Sequence, residues 1–573
     1  MKTAGAAIGL CAAASLSLSW ALSYVESSNG LEPPAMEGGR TELEFADINE
    51  DGNVDLVSIG DHGNPYVNTD EHGIMVWFGD GHGNWSVYQE GNFGYGGIAA
   101  GDVNNDGHLD IGCGMHHDYA PPEQLGARLI EVALGNGTGQ NWVAWDSGLA
   151  EHGETWGMFG TDFADFNNDG WLDLVSNSFG GTAGVHAYLN YHDGHWDQSF
   201  GFTGGFSCED VVCGDINNDG NVDFAVGQES GTVYFGDGTG NFTLEQHNLP
   251  PPGGQGHSGV ALGDVDNDGA KELAFCQCAD TIEVYKWSVD GDSWVSLRGS
   301  LPLSGYESVQ LCDMNCDGYV DLVGFGSGNG TVWLGDGHGN WTQAAGFTTP
   351  TPGYFEALRV GGDVDHNGLP DVVLVADEGT WPSDRNHLRC FKEASTPDSL
   401  RMVPAFPRGG ERFYAGSVQF VDWCCAVPAG ETAAVRLELS ATGLGGPWSL
   451  IADSLRNTGR FQWTVPDEPS TDCYIRCSAS SRHGASTRDL AARVSPNPAR
   501  NEARLAYTLP AACYVSVVLC DAAGRNIALL HQGAASPGHH TLSLDTGGLR
   551  PGVYFCRLRV GNEEETVKLV LQR

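Results

Sequence analysis

A nine-residue phrase, D-x-N-x-D-G-x-x-D, occurs seven times between residues 47 and 371, and it puts oxygen side chains at positions 1, 3, 5 and 9 with a glycine at position 6. The first four copies supply Asp47, Asn49, Asp51 and Asp55; Asp102, Asn104, Asp106 and Asp110; Asp165, Asn167, Asp169 and Asp173; and Asp215, Asn217, Asp219 and Asp223. The last three supply Asp264, Asp266, Asp268 and Glu272; Asp313, Asn315, Asp317 and Asp321; and Asp363, Asp365, Asn367 and Asp371. Oxygen donors at this spacing, with a glycine free to take the positive φ of a sharp turn, let one short loop wrap a hard divalent cation. Asp, Asn and Gly also make plain turns by capping their own backbone. Seven copies in register favour the metal, which gives up to seven Ca²⁺ sites.

A helix-flanked calcium loop needs a glutamate at position 12. Here position 12 is Ser58, Cys113, Ser176, Val226, Phe275, Gly324 or Leu374. Each ninth residue instead leads into a short apolar run such as Asp55-Leu56-Val57 or Asp371-Val372-Val373-Leu374. Such runs bounded by glycine read as strands, so the loops should join strand to strand.

Loop starts are separated by 55, 63, 50, 49, 49 and 50 residues. A second phrase recurs within this period: Phe78-Gly79-Asp80-Gly81-His82-Gly83-Asn84-Trp85 reappears at 235–242 and 334–341, with weaker versions at 134–142, 189–196 and 287–294. Lying between strand-like runs, it reads as a hairpin turn. A period near fifty with about four strands per unit is a propeller signature.

These paired phrases resemble the FG-GAP or VCBS repeat, the blade of the integrin-α-like seven-bladed β-propeller. The resemblance implies calcium ligands at the first, third, fifth and ninth positions of each loop, with a backbone carbonyl from the seventh. Two copies depart from the pattern: the fifth has Asp266 and Glu272, and the seventh has Asp365, Asn367 and Pro370. The seventh unit also lacks its hairpin phrase, so residues 24–40 or 400–406 should complete it.

The net charge is −46, and it is unevenly placed. Residues 1–400 hold 10 Lys+Arg against 59 Asp+Glu, whereas 401–573 hold 18 against 15. This acidity disfavours nucleic acid and anionic membranes as partners. Residues 1–23 read as a secretory signal peptide, and no later stretch is long and apolar enough for a transmembrane segment. Fifteen cysteines remain beyond the signal. In an oxidising compartment the pairs to expect join Cys424 or Cys425 with Cys473 or Cys477, and Cys513 or Cys520 with Cys556.

The expected all-β organisation is a propeller over 24–400, an Ig- or fibronectin-like β-sandwich over 401–488, and a second small Ig-like sandwich over 489–573. Residues 400–410, rich in Pro and Gly, read as a linker. Strands are expected at 417–423, 435–440, 460–465 and 473–477. The last stretch runs from Val494-Ser495-Pro496-Asn497-Pro498 through Asp521-Ala522-Ala523-Gly524-Arg525 and Leu549-Arg550-Pro551-Gly552-Val553-Tyr554. It resembles the C-terminal sorting domain of type IX secretion, related to the FlgD-type fold. That resemblance implies contact with the type IX machinery, and secretion to or beyond the surface of a Gram-negative bacterium.

No G-x-S-x-G, H-E-x-x-H or Walker phrase is present, so the chain reads as a non-enzyme that recognises an extracellular glycan or protein. A structural surface protein and a polysaccharide-active hydrolase or lyase are the alternatives. Each loop ends the innermost strand, so residues just before that strand emerge at the opposite end near the axis. Trp156, His257, Tyr306, Glu307, Tyr354 and Glu356 lie there, beside Glu154 and Glu209. Aromatic rings beside carboxylates suit a sugar face or a protein anchor. The Met115-His116-His117-Asp118-Tyr119 insertion reads as a loop before it reads as a transition-metal site.

Overall fold

A computed structural model describes residues 22–571 except 32–35, 38–41, 61–71, 95, 117, 119, 121–123, 155–156, 179–183, 203–206, 229–232, 251–258, 278–280, 327, 350–354, 379–384, 484–492 and several short stretches between 496 and 562. Residues 1–21, most of the expected signal peptide over 1–23, lie outside them. All described regular structure is β, and the chain divides into two compact units after Ser481.

Residues 24–393 form seven antiparallel sheets. Each loop joins a first strand to a second: Leu43–Ala46 to Asp55–Ile59, Ile98–Gly101 to Asp110–Gly114, Met158–Ala164 to Asp173–Ser178, and Ser207–Gly214 to Asp223–Gln228. The same holds for Val260–Gly263 and Glu272–Gln277, Ser308–Cys312 and Asp321–Gly326, and Phe355–Val360 and Val372–Glu378. The first strand of every sheet touches the first strand of the next, and Phe355–Val360 returns to Leu43–Ala46. The seven sheets therefore close on themselves. Second strands such as Asp55–Ile59 and Asp321–Gly326 are buried along their whole length, which explains their apolar sequences.

The hairpin phrases do join third to fourth strands. At Asp80 the carboxylate accepts from the N–H groups of His82 (2.8 Å) and Asn84 (3.0 Å), an Asx-type turn. In three of the phrases the closing tryptophan staples its sheet to the preceding one. Trp85 Nε1 donates to Ser27 O (2.9 Å), Trp196 to Trp145 O (2.8 Å) and Trp341 to Leu297 O (3.0 Å). Ser27 belongs to the N-terminal segment, whose strands Tyr24–Glu26 and Met36–Glu37 complete the seventh sheet by pairing with Arg385–Glu393. Ring closure therefore uses the start of the chain.

Residues 401–406 are not a linker. Arg401–Phe406 is a strand paired with Val418–Ala426, with a register shift where Pro404, lacking an N–H, is accommodated. That pair and Arg460–Thr464 form one sheet, while Glu431–Ser440, Ser449–Leu455 and Tyr474–His483 form another. Val421, Trp423, Val435, Leu437 and Trp463 fill the core between them.

The second unit has two sheets, of three and four strands, between Arg493 and Leu571, closed over Leu505, Tyr507, Val517, Leu558 and Leu569. The expected disulfides are absent: Cys424, Cys425, Cys473, Cys477, Cys520 and Cys556 are free thiols, most of them buried. Burial pushes the Cys425 and Cys477 thiols up to about 12, so they behave as small apolar core groups. The side chain of Cys513 lies outside the described residues.

Candidate metal centres on the loop face

The fourth loop shows how the phrase folds. Asp215 Oδ1 accepts from the N–H of Asp219 (3.1 Å) and Oδ2 from that of Gly220 (2.8 Å), while Asn217 Oδ1 also accepts from Asp219 N–H (2.9 Å). The ninth residue ties the loop to the sheet: Asp223 Oδ2 accepts from Ile216 N–H (2.8 Å), and Oδ1 from Gly236 N–H on the third strand (2.9 Å). The same ninth-residue clasp recurs from Gly79 to Asp55, Gly135 to Asp110, Asn190 to Asp173, Gly335 to Asp321 and Glu393 to Asp371. One short segment thus gathers its carboxylates at the end of a buried strand.

The electrostatic result is consistent around the ring. Burial first, and neighbouring loop carboxylates after it, raise Asp47 to about 7, Asp55 to about 8, Asp110 to about 7 and Asp363 to about 8. Asp173, Asp223, Asp321 and Asp371 are raised well above the ordinary range for the same leading reason. Buried carboxylates that resist ionisation without a counter-charge are a donor set that a hard divalent cation fits. In the fifth and seventh loops, Asp264, Asp266 and Glu272, and Asp363, Asp365 and Asp371, bring ligand oxygens within 4.8 Å of one another.

Position 4 carries a role that the ligand pattern hides. Glu50, Asn105, Asn168, Asn218, Asn267, Cys316 and His366 all lie in the left-handed region, with φ between 53° and 59°. Each reaches the following loop. Glu50 meets His108 Nδ1. Asn105 Nδ2 donates to Gly170 O (3.2 Å), Asn168 to Asn221 Oδ1 (3.3 Å), Asn218 to Asp268 O (3.4 Å) and Asn267 to Gly318 O (3.2 Å). Cys316 Sγ lies 3.2 Å from Gly368 O, and His366 Nε2 lies 3.2 Å from Asn53 Oδ1, which returns to the first loop. The signal was present in the sequence: Asn, which tolerates left-handed φ, fills position 4 in four of seven copies.

The loop face is covered by the adjoining sandwich. Gln462 makes two bonds to the backbone of Asp102, 3.0 and 2.9 Å, and Val418 N–H donates to Asp165 Oδ2 (2.9 Å). Gly410 O accepts from Asn218 Nδ2 (3.1 Å), Arg408 Nη2 lies 3.3 Å from Asp313 Oδ2, and Val427 N–H donates to His366 O (2.9 Å). The Arg456 stem lies over Gly52 of the first loop. At Gly269 of the fifth loop, a side chain would collide with the Gly410 backbone, and φ is +93°. All seven loops are touched.

Along the axis, Arg359 pairs with Glu44 (2.7 Å) and donates from Nε to Leu43 O (3.0 Å). Glu42, Asp162 and Asp210, on or beside other first strands, complete the cluster, and burial before all else raises the pKa of Glu42 and Asp210. These acids carry no local motif and become neighbours only when the ring closes.

At the other end, Tyr306 is a packing residue. Its ring meets Trp333 edge-on at 5.1 Å and its hydroxyl pairs with Thr331 Oγ1 at 2.9 Å. Glu307 N–H binds Phe325 O (2.9 Å). Glu154 is buried beside His186, with Oε1 3.3 Å from Nδ1. Trp156, His257 and Tyr354 lie outside the described residues; Glu356 and Glu209 sit on described strands, but their side chains lie outside them. His116 stacks on Phe159 at 5.7 Å, and His117 lies outside the described residues.

Two family models match the chain. The FG-GAP-like repeat matches residues 47–113, 165–226, 224–275 and 313–374. The secretion system C-terminal sorting domain matches 493–572. No curated protein shows significant similarity. Among solved structures, an Agrocybe aegerita lectin described as recognising non-reducing terminal N-acetylglucosamine is 17% identical, with a TM-score of 0.38 over 53% of this chain and 79% of that one. A gluconolactonase from Xanthomonas campestris is 11% identical, with a TM-score of 0.30 over 63% and 98%. Among the described residues no helix is long and apolar enough to cross a membrane. The chain thus carries FG-GAP-like repeats and a C-terminal type IX secretion sorting domain, which marks it for secretion or cell-surface export.

Proposed function

We propose that this chain is an exported seven-bladed β-propeller that binds up to seven Ca²⁺ ions through its strand-joining loops and serves adhesion or ligand recognition, without catalysis, at a bacterial surface. The sandwich over 401–483 and the second unit are read as Ig-like, the latter acting in export. The buried loop carboxylates, whose pKa burial raises, support calcium as the ion that would offset them. The observation carrying the recognition reading is the sandwich seated over all seven loops. With that end engaged by the chain itself, the opposite end is the one available for a partner, and the aromatic and acidic residues that chain order assigns to it suit glycans and proteins.

The test is an array of bacterial-surface glycans and proteins probed with the purified chain. A specific hit that is lost on Trp156→Ala and Tyr354→Ala supports the reading. Tyr306 is left intact, because its ring holds Trp333 and its replacement would confound folding with binding. Binding to none of the array would favour a structural surface role. Deleting residues 482–573 should leave the first unit folded and retain it in the periplasm; normal surface delivery of the truncated chain would overturn the export assignment.

A further inference from the structure

The two loops that depart from the pattern at position 3 share a second departure, on another strand. Cross-strand register makes Lys286 and Lys392 equivalent to Phe78, Leu134, Leu189, Phe235 and Leu334 on the third strands of the other five sheets. Lysine stands at this position only where position 3 is aspartate. Lys286 Nζ lies 2.5 Å from both Asp266 Oδ2 and Asp268 Oδ2, and Lys392 Nζ lies 2.9 Å from Asp365 Oδ2.

In three of the other five loops the bridge is made by an amide. Asn104, Asn167 and Asn315 each donate from Nδ2 to the position-5 carboxylate at 3.0 Å. Aspartate at position 3 removes that donor; in the fifth loop it also raises the carboxylates from three to four, whereas in the seventh Asn367 at position 5 keeps them at three, and in both the lysine ammonium supplies a bridge and a positive charge beside the new carboxylate. The fifth loop keeps an inward-facing donor set as well. Glu272 is fully buried, its Oε2 accepts from Val265 N–H (2.6 Å), and its Oε1 has no hydrogen-bond partner. Asp266 Oδ1 is likewise buried and unpartnered.

We propose that Lys286 and Lys392 are resident cations that hold the fifth and seventh loops closed without metal, so that these two loops load calcium only after the other five. The inference rests on the calcium reading of the loops. An ammonium bonded to two loop carboxylates at Lys286, and to one at Lys392, occupies oxygens that the ion needs and repels its charge, so metal enters against a competitor already in place.

The experiment uses the full chain as Lys286→Met, Lys286→Arg and, as a fourth-blade control, Phe235→Met. Hydrogen exchange in chelator should show residues 260–296 protected in the parent chain while the fourth blade opens. Lys286→Met should expose 260–296 about tenfold faster, the equivalent of losing one partly screened ion pair, and Lys286→Arg should restore protection. Equilibrium dialysis with calcium alone should give two classes of site in the parent, and Lys286→Met should move one site from the weak class to the tight class. Seven equal sites, or unchanged exchange in Lys286→Met with chelator, would overturn the proposal. Absence of calcium binding at every loop would remove the calcium reading, while the chelator arm would still decide what Lys286 does.

Discussion

The nine-residue loops and the Gly-Asp-Gly hairpins use the same residues at the same sheet ends, yet their aspartates lie in opposite electrostatic states. At Asp336 the side-chain bond from Asn340, followed by backbone N–H bonds, outweighs slight burial and lowers its pKa. At Asp80 burial is the largest single influence, but bonds from Asn84 and His82 together outweigh it, and the pKa is again lowered. Asp215, which accepts comparable N–H bonds, is raised to about 7 by burial and by Asp219 beside it. Composition alone does not mark a metal loop. The hairpin turn satisfies its own carboxylate with local donors, whereas the nine-residue loop buries several carboxylates beyond what its donors can offset.

Calcium removal should break this comparison most sharply. With free calcium a hundredfold above the dissociation constant, each filled loop contributes about 2.7 kcal/mol, so chelation should lower the melting temperature by many degrees. Asp219→Ala should reproduce part of that loss in calcium, read as selective opening of the fourth blade by hydrogen exchange. An unchanged melting curve in chelator would remove the distinction between loop and hairpin.

The pH response should be next in size. A carboxylate whose folded pKa is raised stabilises the fold fully below its unfolded value near 4, and that contribution is lost as pH climbs through the folded value. In chelator, stability should therefore fall between about pH 4 and 8, the window set by Asp47, Asp215 and Asp55 at about 7, 7 and 8. Saturating calcium, which binds the ionised forms, should flatten or reverse the slope. Thermal melts at several pH values, with and without calcium, check both signs.

A smaller effect belongs to the covering sandwich. Gln462→Ala removes both bonds to Asp102 and should cost about 1–3 kcal/mol of docking, visible as faster exchange at the second loop and the 460–464 strand. Asp336→Asn in the hairpin should be smallest, within about 0.5 kcal/mol, because an exposed amide still accepts the turn bonds. A hairpin change as costly as Asp219→Ala would show that the two turn types do the same work.

Much of the first unit could be read from the chain because the repeat is local. Ligand oxygens, turn glycine, following strand and hairpin all lie within about fifty residues of one another, and period-two burial needs only neighbouring positions. The Trp85, Trp196 and Trp341 phrases marked the hairpins but gave no hint that their indoles bind the preceding sheet. Residues 401–406 were misread because proline suggests a linker unless its partner strand, with room for a register shift, is already known.

What the amino-acid order determined by itself was therefore the repeating unit: where oxygens gather, where strands begin, and which terminal stretch carries the sorting signature. Tertiary structure alone decided which loop each position-4 side chain reaches, that Glu42, Glu44, Asp162 and Asp210 surround Arg359, that the sandwich seats on all seven loops, and that Lys286 replaces an amide from another strand. It also left Cys424, Cys425, Cys473 and Cys477 as thiols, since a pairing depends on where two strands place their side chains. The physical reason is range. Those contacts join residues separated by about twenty to more than three hundred positions, and their partners are fixed only when the seven sheets close around a common axis.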